Sequence, residues 1–332
     1  MTSSAVPERR TRVGPRIPQK YVPILMTLAL LASMFTIGSI RYPGFATGQV
    51  VLNVFIDNSF LLVVAIGMTF VILTGGIDLS VGAVVALSTL LLALLIKHGW
   101  PTLLAIVVVL VIGSTLGWTM GAVIHYFEIQ PFIVTLAGMF LARGLCYAIT
   151  VDAVSITKPG YVAVAEHTFN LPGDMYVTTA VVVSLVTVLA GLYVLHYTRL
   201  GRNVYAIGGN EQSALLMGLP VARTKIAVYT ISGFCSALGG VMLSFYMLSG
   251  SGSLAVGMEL DAIAAVVIGG TMLTGGIGYL AGTVLGVLVL GLIQTLINFQ
   301  GTLSSWWTRI VIGLLLFGFI LLQRLVFLRR RS

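Results

Sequence analysis

The chain has 332 residues, of which 58% are hydrophobic and only 8% charged, with a formal net charge of +8. Soluble domains carry about 25% charged residues, so this composition leaves too few charges to cover a surface facing water. It excludes a soluble globular enzyme and indicates an all-α polytopic membrane protein, whose excess of Lys and Arg reflects topology and contact with anionic lipid, not nucleic acid.

A basic segment, residues 1–21, comes first and holds Arg9, Arg10, Arg12, Arg16 and Lys20. The apolar run 24–40 that follows is too long for a signal-peptide core and lacks a small-residue cleavage site after it, so it reads as the first membrane helix. Spanning a hydrocarbon core of ~30 Å takes about 20 largely apolar residues in helix. On that measure the chain divides into about ten predicted spans: 22–40, 50–73, 80–96, 102–124, 131–150, 176–197, 226–248, 259–274, 280–298 and 305–325. Together they form a single transmembrane unit over 22–325, followed by a short basic tail at 326–332. Cys146 and Cys235 both fall inside predicted helices and read as small apolar packing residues.

Cytoplasmic loops are enriched in Lys and Arg. With both termini cytoplasmic, the inner side collects 13 of the 18 basic residues, including Arg199, Arg202, Arg223 and Lys225. Trp306 and Trp307 then fall at the outer interface, where amphipathic rings are favoured. Two connections are long: an outer loop at about 151–175 and an inner loop at about 198–225.

Several chemistries are missing. No Lys follows a Gly, so no phosphate-binding P-loop is present. His98, His125, His167 and His196 are scattered singly, which gives neither a metal site nor a catalytic constellation. The chain is expected to bind no cofactor and no metal of its own.

Two glycine stripes, Gly113/Gly117/Gly121 and Gly278/Gly282/Gly286, recur at every fourth residue and predict close helix packing. The stretch Leu-Thr-Gly-Gly-Ile at 73–77 recurs at 273–277, a local motif repeat at the inner end of two spans. In the first copy, Gly75 and Gly76 are expected to end a helix in the left-handed conformation, with Asp78 or Ser80 capping the next. A carboxylate at the centre of a membrane helix costs about 2.5–3.5 kcal/mol on insertion scales, so Asp78 is alternatively a pathway residue facing water. Gly275 and Gly276 are the matching break in the second copy, and Glu259 and Asp261 divide between the same two readings. Arg143 lies within a span and needs an acid such as Asp57 or Asp261, backbone carbonyls, or a route to the interface.

With these residues in view, the chain resembles a known family. "LTGGIDLSVGA", "YAIGGNEQSALLMGL", "ELDAIAAVVIGGTMLTGGIG" and "AGTVLG" are similar to segments of the permease subunits of bacterial ribose-type sugar ABC importers, in order, over about 22–325. "PGFAT", "ALLMG" and "INFQGTLSSWWT" further resemble the galactofuranose importer permease. The resemblance implies a multi-pass inner-membrane subunit that lines the path of a monosaccharide by alternating access. It implies a cytoplasmic ATP-binding protein that uses ATP and Mg, a periplasmic sugar-binding protein, and a second, paralogous permease chain. The inner loop would couple to the ATPase: Gly208 and Gly209 form a turn, Asn210 caps a short helix from Glu211, and Leu215, Leu216 and Met217, ahead of Gly218, present an apolar knob. Hydroxyl and amide groups such as Thr69, Thr74, Ser80, Thr271, Thr274, Gln294 and Asn298 are the expected partners of sugar hydroxyls. The alternative is a secondary sugar transporter driven by an ion gradient, with Asp78, Glu259 or Asp261 as coupling acids.

Overall fold

The computed structural model describes residues 22–302 and 306–328. The basic tails expected at 1–21 and 326–332 lie outside these residues, apart from the last turn of the final helix.

Five helices come first: α1 (Val22–Arg41), α2 (Gly48–Leu73), α3 (Val81–Lys97), α4 (Thr102–Tyr126) and α5 (Pro131–Ile149). The loop expected on the outer side follows, with β1 (Val154–Ser155), α6 (Pro159–Ala165), and the hairpin of β2 (Thr168–Leu171) and β3 (Met175–Thr178). Next come α7 (Thr179–Tyr197), then α8 (Arg199–Gly209) and α9 (Glu211–Leu216) in the loop expected on the inner side, and α10 (Val221–Met247). The chain closes with β4 (Ser249–Gly250), α11 (Met258–Ile268), α12 (Leu280–Gln300) and α13 (Trp306–Leu328).

Seven helices, α1, α2, α4, α5, α7, α10 and α12, are long and apolar enough to cross a membrane, and α3 and α13 are further apolar candidates. The eighth expected span, 259–274, departs from the sequence expectation. Only 11 residues, Met258–Ile268, are helical there, and at 1.5 Å per residue they cover about 17 Å, roughly half the hydrocarbon core. α11 is a half-helix that packs antiparallel on α12.

The centre is built from α2, α10 and α12, which are buried over most of their length, while α1 and α5 sit at the periphery. The first glycine stripe and two members of the second are helix interfaces, whereas Gly278 lies ahead of α12 and packs on the Thr271 side chain. Gly113 and Gly117 of α4 leave room for the backbone of α10 at Tyr229 and Gly233, and Gly121 does so at Ile226. Gly282 and Gly286 of α12 admit the backbone of α11 at Gly269 and Ala265. In lipid, where helices gain nothing from hiding apolar side chains from water, such close approach is a main source of association. Cys146 and Cys235 are free and buried, as expected of packing residues.

Between α10 and α11 the chain is not helical. Gly250 packs on the backbone of α3 at Thr89, β4 pairs with β1, and Ala255 reaches the start of α3 at Gly82. Irregular backbone at membrane depth survives only where protein shields it and satisfies its polar groups. Arg143 performs that role here, as described below.

Candidate functional site

The two copies of Leu-Thr-Gly-Gly-Ile meet in space. α2 ends in a Schellman motif: the Gly75 amide donates to the Ile72 carbonyl at 2.9 Å and the Gly76 amide to the Val71 carbonyl at 3.1 Å. Gly75 has φ 80, the left-handed conformation that a side chain would strain. Gly76 does not share that conformation, contrary to the sequence expectation. It is small for another reason, because a Cβ there would strike the buried hydroxyl of Tyr229 on α10.

The Leu73 carbonyl, left free by the helix end, accepts from the amide of Gly276 at 2.9 Å. Gly275 lies against the Gly75 backbone, so the two motif copies touch along their main chains. The last turn of α8 completes the junction. A Cβ on Gly208 would overlap both the Leu73 carbonyl and the Gly276 amide nitrogen, and one on Gly276 would meet the Gly209 backbone. Tyr205, also on α8, donates its hydroxyl to the Gly278 carbonyl at 2.8 Å. Burial, with Tyr279 nearby, pushes the Tyr205 pKa up to about 12, so it stays a donor at any physiological pH.

The inner loop is thus locked to both helix breaks. Gly208 and Gly209 are not a turn, as the sequence suggested, but the end of α8. The bend falls at Asn210, in extended backbone, whose side chain accepts from the Ser213 amide at 2.7 Å and caps α9. Past that cap, Leu215, Leu216 and Met217 are 59%, 84% and 68% exposed, and Gly218 turns the chain back toward α10. Glu211 pairs with Lys225 at 2.6 Å, tying α9 to the first turns of α10. Beside them, a cleft of about 600 Å³ separates α9 from the α4–α5 connection, with Glu128, Gln130 and Gln212 on its walls.

Asp78 sits just above the junction and is fully buried. One carboxylate oxygen accepts from the Ser80 amide at 2.9 Å and the Ser80 hydroxyl at 2.6 Å, and the other from the Ser232 hydroxyl of α10 at 2.7 Å. The carboxylate therefore does brace the start of α3, though from within the bundle and not from a boundary open to water. Its residence there is tolerable because both carboxylate oxygens accept hydrogen bonds, from one amide and two hydroxyls.

Arg143 resolves in favour of backbone carbonyls. Its guanidinium donates to Gly252 at 2.5 Å and to Leu254 at 2.8 Å, pinning the irregular segment between α10 and α11. Neither Asp57 nor Asp261 pairs with it: Asp57 accepts from the Tyr246 hydroxyl at 3.4 Å, and Asp261 lies 3.9 Å from Arg309. Glu259 and Asp261 occupy the first turn of α11, where the helix dipole favours an acid, and Glu259 faces Gly82 with one oxygen buried and without a hydrogen-bond partner among the described residues.

The end of α8 thus lies between two helix breaks of a membrane bundle. The comparisons give it a family. Residues 50–320 match the family described as branched-chain amino acid transport system / permease component. The chain is 45% identical to the inner membrane ABC transporter permease protein YjfF of Escherichia coli strain K12, over 92% of this chain and 93% of that one. It is 40% identical to the ribose import permease protein RbsC of Bacillus subtilis strain 168, over 93% and 94%. Likeness to the fructose import permease protein FruG of Bifidobacterium longum is 38%, over 98% and 97%. The chain belongs to this permease family. It is a multi-pass inner-membrane subunit of the ABC transporter class, a transport component and not an enzyme. No solved structure matches it.

Within this permease, several of the polar groups expected to meet sugar are sealed inside. Thr69 bonds Thr283 across α2 and α12 at 2.8 Å, Ser80 serves Asp78, and Thr271 is fully buried. Gln294 and Asn298 instead bond each other along α12 at 2.9 Å, with Thr308 donating to Gln294. Sequence reasoning missed Tyr229 and Ser232, the neighbours of Gly76 and Asp78. Nor did it single out the run "SGSGSLAVG" at 249–257, whose glycines approach other parts of the chain: Gly250 meets the Thr89 backbone and Gly252 the Cys146 side chain.

Proposed function

We propose that this permease carries a monosaccharide of the galactofuranose type inward, as the membrane subunit of an ATP-driven importer. The reading is supported by the cargoes of its relatives, ribose and fructose, and by the resemblance of the "INFQGTLSSWWT" stretch at 297–308 to the galactofuranose importer permease. The family description also mentions branched-chain amino acids, but a zwitterionic cargo calls for paired charges, which are sparse in these helices. A neutral sugar needs hydroxyl partners only. In this reading a cytoplasmic ATP-binding protein uses ATP and Mg, a periplasmic sugar-binding protein delivers the cargo, and a second, paralogous permease chain completes the path. The gradient-driven alternative is not favoured.

One observation carries the coupling: the exposed Leu215–Met217 knob ends α9, which follows directly on α8, and Gly208 of α8 is wedged between the end of α2 and the second motif copy. A displacement of α9 by a closing ATPase therefore reaches both breaks through backbone contacts with no side chain to absorb it. ATP and the loaded binding protein supply the differential binding that shifts the bundle between outward and inward openings.

The test is gentle purification of the chain from its native membrane, identification of what accompanies it, and reconstitution. Recovery of a P-loop ATPase and a second permease chain, with ATP hydrolysis stimulated by galactofuranose-loaded binding protein, is the expected result. Recovery of this chain alone, transporting sugar down an ion gradient, would overturn the reading.

A further inference from the structure

We infer that the outer half of α2 presents a hydroxyl-binding face to the cargo, built on Asp57 and Tyr246. Resting on the monosaccharide reading above, the inference assigns to it a subsite that neither the motifs nor the relatives point to. Gln49, Asn53 and Asp57 follow at intervals of four along a largely apolar helix, so they share one face. Gln49 is held at the top. Its carbonyl oxygen accepts from the Tyr176 amide of the β2–β3 hairpin at 2.9 Å, and its amide donates to Asn53 at 2.8 Å. The stripe thus begins under the outer hairpin and descends into the bundle.

Asp57 lies nine residues past Gly48, about 14 Å along the axis, and so well inside the hydrocarbon thickness. Its side chain is nonetheless exposed. Among the described residues the ion pairs are Glu211 with Lys225 and Asp261 with Arg309, so Asp57 has no cation. Among the described residues it accepts a hydrogen bond from Tyr246, 55% exposed, whose ring sits 6.1 Å from that of Phe60. An unpaired carboxylate on a lipid-facing surface would cost about 2.5–3.5 kcal/mol on insertion scales. Asp78, by contrast, is buried with every oxygen engaged. Asp57 keeps acceptor capacity free, and an aromatic pair flanks it. Adjacent hydroxyls of a sugar can donate to the carboxylate while its C–H face rests on the rings, and the acid needs no permanent partner if water and passing hydroxyls fill that place in turn.

The experiment uses the assembled transporter in proteoliposomes, with the native Cys146 and Cys235 retained because they are buried. Cysteines are placed singly by Asn53→Cys and Asp57→Cys, with Val107→Cys, in an apolar groove between α4 and α10, as the control for an apolar surface. The probe is the membrane-impermeant thiol reagent sulfonatoethyl methanethiosulfonate. Asn53→Cys and Asp57→Cys are expected to react at least about tenfold faster than Val107→Cys, since only a wet face ionises the thiol and admits an anion. Saturating sugar with its binding protein is expected to slow the reaction at both, and Asp57→Asn to raise the KM for uptake about tenfold, the loss of a charge-assisted hydrogen bond. Labelling of both cysteines as slow as the control overturns the inference. So does fast labelling with no protection by a sugar that is demonstrably transported. If ribose, fructose and galactofuranose all fail to drive uptake by the wild-type complex, the monosaccharide reading falls, whatever the labelling rates.

Discussion

The Gly276 amide hydrogen-bonds the Leu73 carbonyl at 2.9 Å, joining the second motif copy to the end of α2. Because Gly208 of α8 fills the space beside that bond, three chain segments far apart in sequence share one backbone contact. A side chain at Gly208 would have to displace main chain, which cannot rotate away as a flexible side chain can.

This separates two neighbouring glycines that the sequence treats alike. Gly208→Ala should destabilise the junction by about 1–3 kcal/mol, the usual range for overpacking, and sharply reduce sugar-stimulated ATP hydrolysis by the assembled complex. Gly209→Ala should be neutral or slightly stabilising, since nothing lies within 4 Å of its Cβ position. Thermal melting and ATPase assays of both variants check the contrast. Equal tolerance at the two positions would remove the junction from the mechanism.

Asp78 offers a second contrast, between charge and geometry. Asp78→Ala leaves the Ser80 amide and the Ser80 and Ser232 hydroxyls without their acceptor, at about 1–3 kcal/mol for each group that finds no other. Asp78→Asn keeps an oxygen for Ser80, and its amide can donate to a rotated Ser232 hydroxyl, so the loss should be about 0.5–1.5 kcal/mol with most transport retained. Melting curves and uptake rates in proteoliposomes measure both. An Asn variant that melts like the wild type yet transports nothing would show that the charge itself acts in the pathway.

The balance of what sequence could reveal follows from range. Helix existence was legible because lipid imposes an apolar length on each span, and the glycine stripes because spacing of four is a local signal. Asn210 capping α9, with Leu215 to Met217 exposed beyond it, was legible for the same reason. The half-length of α11 was hidden: past Asp261 the stretch to 274 is largely apolar, and the Schellman end, in which the Gly270 and Thr271 amides bond Val267 and Val266, stops the helix at Ile268. Partner choice was hidden as well. Arg143 had acids and carbonyls equally available on paper, and the fold decided by bringing Gly252 and Leu254 to it. The polar face of α2 was visible at intervals of four, but its exposure depends on which helices leave it uncovered.

The guanidinium of Arg143 should therefore be a brace for the segment between α10 and α11. Arg143→Met strands two carbonyls in the interior and should cost about 1.5–3 kcal/mol, the range for hydrogen bonds to a charged group. Arg143→Lys keeps the charge but not the planar fork, and should recover only part of the loss. Hydrogen exchange of the amides at 249–257 reads the effect directly, with faster exchange in Met than in Lys and slowest in the wild type. Unchanged exchange in the Met variant would mean that the segment holds its place without Arg143.

Leu216, at 84% exposure, tests the coupling knob apart from the fold. A surface substitution away from caps and cores usually changes stability by no more than about 0.5 kcal/mol, so Leu216→Glu should melt with the wild type. The same change places a charge at the tip of an apolar contact, and burying it against a partner would strand it without a counter-ion. Co-purification with the ATP-binding protein should fall steeply, and sugar uptake with it, while Gln212→Ala on the same short helix should leave both nearly unchanged. Full retention of the ATPase by the Leu216→Glu complex would place the coupling contact elsewhere, and the cleft between α9 and the α4–α5 connection would be the next surface to probe by substitution.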